Sequence, residues 1–260
     1  MKSYSFFSPT SAEFIHSYAD EHNVSDFFTD LYTNPQEDNL SQSATKPIYV
    51  VADGVTLDFK KLLLTGRPYP DPSPAGNVSK IFCNEVVSKA EELYPIFEEE
   101  LITETFIYAN SKVEEYNKQE GEVIISGNVT GKFSATGSFM ICKDNKVFWM
   151  SICDSYFAHF DKNMNLKFIS SGLCNPYAVI NGEPRMVDRI ESGSFNIDLD
   201  DRLFVFTDGF YHYVKDKDFL NLFLNFEDSL IERVVDFSKV KTPIDPDKFG
   251  HERSLIAVKI

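Results

Sequence analysis

Two Asp-Gly pairs close apolar runs in this 260-residue chain, Val50-Val51-Ala52-Asp53-Gly54 and Val205-Phe206-Thr207-Asp208-Gly209. An Asp at the end of a buried strand projects from a rigid element into a crevice. The Gly after it lets the backbone turn sharply and lets its carbonyl approach a ligand. Three more acidic spots stand in order around them: Glu37-Asp38, Asp154-Ser155 and His251-Glu252. Carboxylates and carbonyls are hard oxygen donors, suited to Mg²⁺ or Mn²⁺. Taken singly, each spot is an ordinary solvated turn; only the ordered set of five points to a metal centre.

The elements that must position these residues are legible from periodicity. Thr10-Ser11-Ala12-Glu13 is a capping box ahead of a short helix carrying Phe14, Ile15 and Tyr18. Residues 33–46 are polar and read as a loop into the strand 48–52. Prolines at alternate positions across 67–76 exclude helix and disfavour sheet, so that stretch is expected to be a surface loop near Asp53. Ile81, Phe82, Val86, Val87, Ala90 and Leu93 keep helical spacing, Pro95 resets the helix, and a second one is expected to run to about Gly121. Short apolar strands are expected at 122–126, 133–142, 146–153, 156–161 and 166–169, with hairpin turns at 143–146 and 162–165. A strand at 203–206, helices around 218–226 and 229–237, and a final strand at 255–260 complete the order. Consecutive hairpins argue for antiparallel sheet, with helices covering its faces.

Composition narrows the function. Hydrophobic residues make up 43% of the chain, enough to bury a substantial core. The formal charge of −15 repels phosphate backbones, so nucleic acid is an unsuitable partner. Cys83, Cys142, Cys153 and Cys174 are scattered without a CxxC pair or a His at ligand spacing. They are expected to be free, buried thiols in a reducing compartment rather than zinc ligands. No run is long and apolar enough for a signal peptide or a membrane helix, so a cytoplasmic protein with no membrane partner is expected.

The ordered acidic set resembles the PPM-type (type 2C) metal-dependent Ser/Thr phosphatases. That family runs Glu-Asp, strand-Asp-Gly, a helical pair, a Thr-rich strand, Gly-Asp-Ser, strand-(Ser/Thr)-Asp-Gly and Asp-Asn-x-(Ser/Thr) before its last strand. The matching residues here are Glu37-Asp38, Ala52-Asp53-Gly54, Ala135-Thr136-Gly137-Ser138, Cys153-Asp154-Ser155, Thr207-Asp208-Gly209 and His251-Glu252-Arg253-Ser254, across roughly 34–260. The chain departs from the pattern in several places. Thr33 stands where the family has a phosphate-gripping Arg, Cys153 replaces a Gly, and His212 replaces an acidic residue. His251, with Glu252 beside it, stands where the last metal-binding Asp belongs.

The resemblance implies an α+β, four-layer αββα sandwich of two antiparallel sheets. It implies one domain over 1–260, with an N-terminal extension at 1–33 and the Pro-rich loop at 67–76. It further implies two Mn²⁺ or Mg²⁺ ions held by Asp38, Asp53, the Gly54 carbonyl, Asp208 and either His251 or Glu252. Asp38, Asp53 and Asp208 would be catalytic through the metals and His212 a proton donor, with Asp154 and Arg67 in support. The expected activity is hydrolysis of phosphomonoesters on a phosphoprotein by a metal-activated water. The alternative is a catalytically impaired, phosphatase-like domain that binds a regulatory protein partner.

Overall fold

The structure, a computed structural model, describes residues 1–120, 131–174 and 178–260. The strand expected at 122–126 lies outside these. The strands are β1 (Lys2–Ser8), β2 (Asn39–Gln42), β3 (Ile48–Gly54), β4 (Ala135–Lys143), β5 (Lys146–Ile152), β6 (Tyr156–Phe160), β7 (Leu166–Ile169), β8 (Glu191–Asn196), β9 (Arg202–Phe206) and β10 (Arg253–Lys259). The helices are α1 (Ala12–His22), α2 (Ser25–Asp30), α3 (Phe59–Thr65), α4 (Pro74–Leu93), α5 (Glu100–Glu120), α6 (Tyr211–Val214), α7 (Lys217–Asn221), α8 (Leu230–Lys241) and α9 (Pro246–Phe249).

Two five-stranded antiparallel sheets form, in the orders β1-β10-β9-β6-β7 and β2-β3-β4-β5-β8. The period of two along each strand divides its side chains between two cores. Tyr49, Val51, Met140, Trp149, Val205 and Ile256 meet between the sheets. Their neighbours Ile48, Val50, Phe139 and Met150 face outward beneath α4 and α5. Phe204, Phe206, Leu255 and Ala257 face outward on the other sheet, under Tyr213, Phe219, Leu230 and Val234 of the C-terminal helices. The result is the αββα sandwich expected from the sequence.

The same parity builds the site. Continuing the inter-sheet face along each strand toward one end of the sandwich reaches Asp38 before β2, Asp53 on β3, Thr136 and Ser138 on β4, Ser151 on β5, Thr207 after β9 and Ser254 on β10. The apolar core therefore gives way to a polar layer, stitched by Thr136–Ser155 (2.8 Å) and Ser138–Ser151 (2.9 Å) hydroxyl pairs.

Several expectations change. Residues 2–8 of the supposed extension form β1, an edge strand on β10 with Phe6 opposite Leu255. Its Ser3-Tyr4-Ser5-Phe6 alternation is a period-two strand pattern, and its partner β10 comes from the far end of the chain. The Pro-rich loop ends at Ser73, because Pro74 occupies the first turn of α4 and Ser73 caps it; a first-turn Pro lacks only an N–H that would be unpaired anyway. The expected free thiols are half correct. Cys83 and Cys142 are free and buried, but Cys153 and Cys174 form a disulfide. A left-handed turn at Cys153 and another at Gly172 bring two cysteines 21 residues apart to a Cα separation of 4.2 Å, which spacing alone cannot reveal. Among the described residues, no helix is long and apolar enough to cross a membrane.

Gly54 is required by close approach. A Cβ there would lie 2.6 Å from the Ala75 carbonyl carbon and 2.7 Å from its oxygen, both backbone atoms of α4. Gly54→Ala is expected to force β3 and α4 apart and destabilise the protein by about 2 kcal/mol or more, the usual scale for overpacking. An unchanged urea midpoint in that variant would remove the packing constraint argued here.

Candidate metal centre

Asp38 is fully buried. Thr207 Oγ1 donates to its Oδ2 (2.7 Å), and the Ser254 N–H donates to that same Thr207 oxygen (2.9 Å), so β9 and β10 jointly fix the carboxylate. Its Oδ1 has no hydrogen-bond partner. Burial raises the Asp38 pKa to about 6 despite help from Thr207 and Ser254 and the nearby Arg253 cation. Burial first, then the charges of Asp38, Asp208, Asp154 and Glu252, push Asp53 well above the usual carboxylate range. Asp208 rises to about 8 through burial and the charges of Asp154 and Asp38.

The terminal motif resolves into two different roles. Glu252 turns inward, and both its oxygens accept from the Glu37 N–H (3.2 and 3.0 Å). Burial and the charge of Asp38 raise it to about 9. His251 instead engages the Asp247 carbonyl through Nε2 (2.8 Å) and packs its ring 4.1 Å from that of Phe14. Of the two candidates, Glu252 is therefore the one whose carboxylate joins the cluster. Gly209, following Asp208, is held against β10: a Cβ there would lie 2.1 Å from the Glu252 carbonyl oxygen.

A cavity of about 280 Å³ opens above Asp53, Asp208, His251 and Glu252. Its side is Phe14, Ile15, Tyr18, Phe28, Tyr32 and Phe59. A second cavity of about 190 Å³ holds Asp154, His212, Tyr211 and Lys248, and shares Asp208 and His251 with the first. His212 thus reaches the site only across Asp208. Burial, Lys248 and Lys215 lower its pKa, so at neutral pH it is poised to accept a proton rather than donate one. Arg67 is exposed and lines neither cavity.

Two features escaped the sequence reading. Glu37 is a buried structural carboxylate, accepting from Tyr69 (2.7 Å), Ser73 (2.5 Å) and Thr56 (3.3 Å); burial lifts it to about 7. It ties the loop before β2 to the start of α4. The second is the Thr207–Ser254 brace on Asp38, whose only sequence signal was the hydroxyl residue standing beside each acidic motif.

Four carboxylates thus face one another at low solvent exposure, without a Lys or Arg among the described residues lining the 280 Å³ cavity. Among the described residues, the one set of three ligand atoms within 4.8 Å of one another is Cys153, Asp154 and Cys174. The carboxylates are accordingly spread over the cavity floor rather than closed on one point. An all-oxygen donor set with an orphaned, buried Asp38 Oδ1 fits hard divalent cations.

A two-sheet sandwich with this acidic pocket at one end is the architecture of the PPM-type Ser/Thr phosphatases, and the chain has that fold. The Mycobacterium tuberculosis serine/threonine phosphatase PstP/Ppp superposes with a TM-score of 0.60 at 11% identity, covering 100% of this chain and 98% of that one. The catalytic domain of PstP in complex with two manganese ions gives 0.61 at 11%, covering 99% and 96%. RsbX in complex with magnesium gives 0.54 at 9%, covering 99% and 94%. No protein-family model matches the sequence, and no curated protein does.

Proposed function

We propose that this protein is a metal-dependent phosphomonoester hydrolase acting on phosphorylated Ser or Thr of a protein, with two Mn²⁺ or Mg²⁺ ions. The observation that carries the reading is the carboxylate cluster, with one Asp38 oxygen unpartnered, Arg253 as the nearby cation acting on Asp38, and no Lys or Arg among the described residues lining the cavity. Mutual repulsion among buried carboxylates is costly unless a counter-charge is present. The solved relatives in fold that contain manganese and magnesium support the same ions here.

Asp38, Asp53, the Gly54 carbonyl, Asp208 and Glu252 would hold the ions. Bound there, they would lower the pKa of a water and offset negative charge on the phosphoryl oxygens. Thr207 and Ser254 orient Asp38, and the Glu37 N–H orients Glu252, so two of the ligands are fixed before any ion arrives. Asp154 flanks Asp208 from the second cavity and adds to its negative field. The layer of paired hydroxyls beneath the site separates it from the apolar core.

The purified protein is expected to hydrolyse an aryl phosphate and a phosphoseryl peptide with Mn²⁺ or Mg²⁺, and EDTA is expected to abolish both activities. One observation favours a second reading, a regulatory or protein-binding domain: among the described residues, no Lys or Arg lines the cavity to grip a phosphate. Folded protein that binds Mn²⁺ by calorimetry, yet shows no turnover at any metal concentration, would establish that alternative.

A further inference from the structure

The cavity above Asp53 and Glu252 is acidic only at its floor. Its side is a continuous aromatic wall built from three separate elements: Phe14 and Tyr18 on α1, Phe28 on α2 with Tyr32 just after it, and Phe59 on α3. The rings touch one another in series. Phe14 lies 6.0 Å from Tyr18, Tyr18 lies 5.7 Å from Phe28 and 5.9 Å from Phe59, and Phe28 lies 4.8 Å from Tyr32. Tyr18 is further fixed by stacking on His22 at 4.1 Å. The wall reaches the floor, because Phe14 packs on His251, the residue next to Glu252. These rings are only partly buried, although the protein has ample core in which to bury aromatics.

We infer that this wall is a specificity subsite that takes an aromatic ring carried by the phosphorylated partner, beside the phosphoryl group. The inference rests on the phosphatase reading of the floor and adds the substrate class. With no Lys or Arg among the described residues lining the cavity, its side offers a ligand chiefly ring contacts, with Thr10, Ile15 and Thr56 beside them. Ring contacts favour aryl groups through offset or edge-to-face stacking on rings already held in place. The ring could belong to the phosphorylated residue itself, as phosphotyrosine, or to a residue flanking a phosphoserine; both present the same chemistry.

The test uses the Mn²⁺-loaded protein and three peptides of otherwise identical sequence: phosphotyrosine, phosphoserine flanked by Phe, and phosphoserine flanked by Ala. At least one of the two aromatic peptides is expected to exceed the Ala-flanked peptide in kcat/KM by roughly tenfold, the scale of one or two ring contacts. Which of them does so identifies the source of the ring. Tyr18→Ala and Phe14→Ala are expected to shrink that ratio, while Phe14→Leu, which keeps apolar bulk, loses only part of it. Equal rates for all three peptides would overturn the inference. A second measurement is independent of turnover: phenylphosphonate is expected to bind the Mn²⁺-loaded protein about tenfold more tightly than methylphosphonate by calorimetry. Absent hydrolysis together with that binding preference would remove the phosphatase reading and leave the aromatic subsite standing. Equal phosphonate affinities would remove the subsite.

Discussion

Asp53→Asn is expected to lower kcat/KM for phosphomonoester hydrolysis by about 10³-fold or more, equivalent to some 4 kcal/mol of lost transition-state stabilisation. Asp53 stands at the centre of the field: Asp38, Asp208, Asp154 and Glu252 all act on it, and it lies at the end of β3. Removing its charge removes the ligand best placed to serve both ions. The same change is expected to stabilise the metal-free protein by roughly 1–2 kcal/mol, because active sites hold charges together at the expense of the fold. The two effects have opposite signs, which separates a ligand from a packing residue; a structural defect at this position would lower activity and stability together. Urea denaturation in EDTA reads the second effect, and Mn²⁺ titration calorimetry checks the cause of the first. Undiminished Mn²⁺ affinity in Asp53→Asn would remove Asp53 from the metal centre.

The sandwich was readable from the sequence because its strands are long apolar runs joined by turns with recognisable chemistry. Asp144 and Asn145 take the left-handed conformations that the 143–146 hairpin requires. Asp53 and Asp208 were readable for the same reason: each stands where a buried run stops. What stayed hidden depends on contacts between distant segments. β1 carries the Tyr4/Phe6 alternation of a strand, but its partner β10 lies at the other end of the chain. β8, Glu-Ser-Gly-Ser-Phe-Asn, is a polar edge strand paired only with β5. The choice between His251 and Glu252 follows parity: both precede β10, but continuing the inter-sheet face back through Ile256 and Ser254 reaches position 252, whereas 251 has the opposite parity. The aromatic wall draws on residues 14 to 59, and no periodicity within one segment marks rings that meet only after α1, α2 and α3 pack.

Metal-free protein is expected to lose stability as pH rises from about 4 to 9, and divalent cations are expected to reverse the loss. Asp38, Glu37, Asp208 and Glu252 titrate at about 6, 7, 8 and 9 in the folded protein, against ordinary values near 4 in the unfolded chain. A carboxyl whose folded pKa is raised is protonated, and so tolerated, in the folded state below the unfolded value. As pH climbs toward the folded value the unfolded chain ionises first and is favoured. The contribution is therefore fully present below about pH 4 and is spent by the time the pH has passed 9. Most small proteins become more stable over the lower part of this range as paired carboxylates ionise, so the expected slope has the opposite sign. Cations that bind the ionised carboxylates of the folded state alone add about 2.7 kcal/mol at one hundred times their Kd. For a chain of this size that corresponds to a rise in Tm of roughly 5–10 °C. The measurement is a set of thermal melts at pH 5, 7 and 8.5, each in EDTA and in Mn²⁺. A Tm in EDTA that increases across that series would mean the four carboxylates are already paired with cationic groups, and the cluster would then need no metal. A falling Tm in EDTA that Mn²⁺ levels out ties the cost of gathering the carboxylates to the ions they are placed to hold.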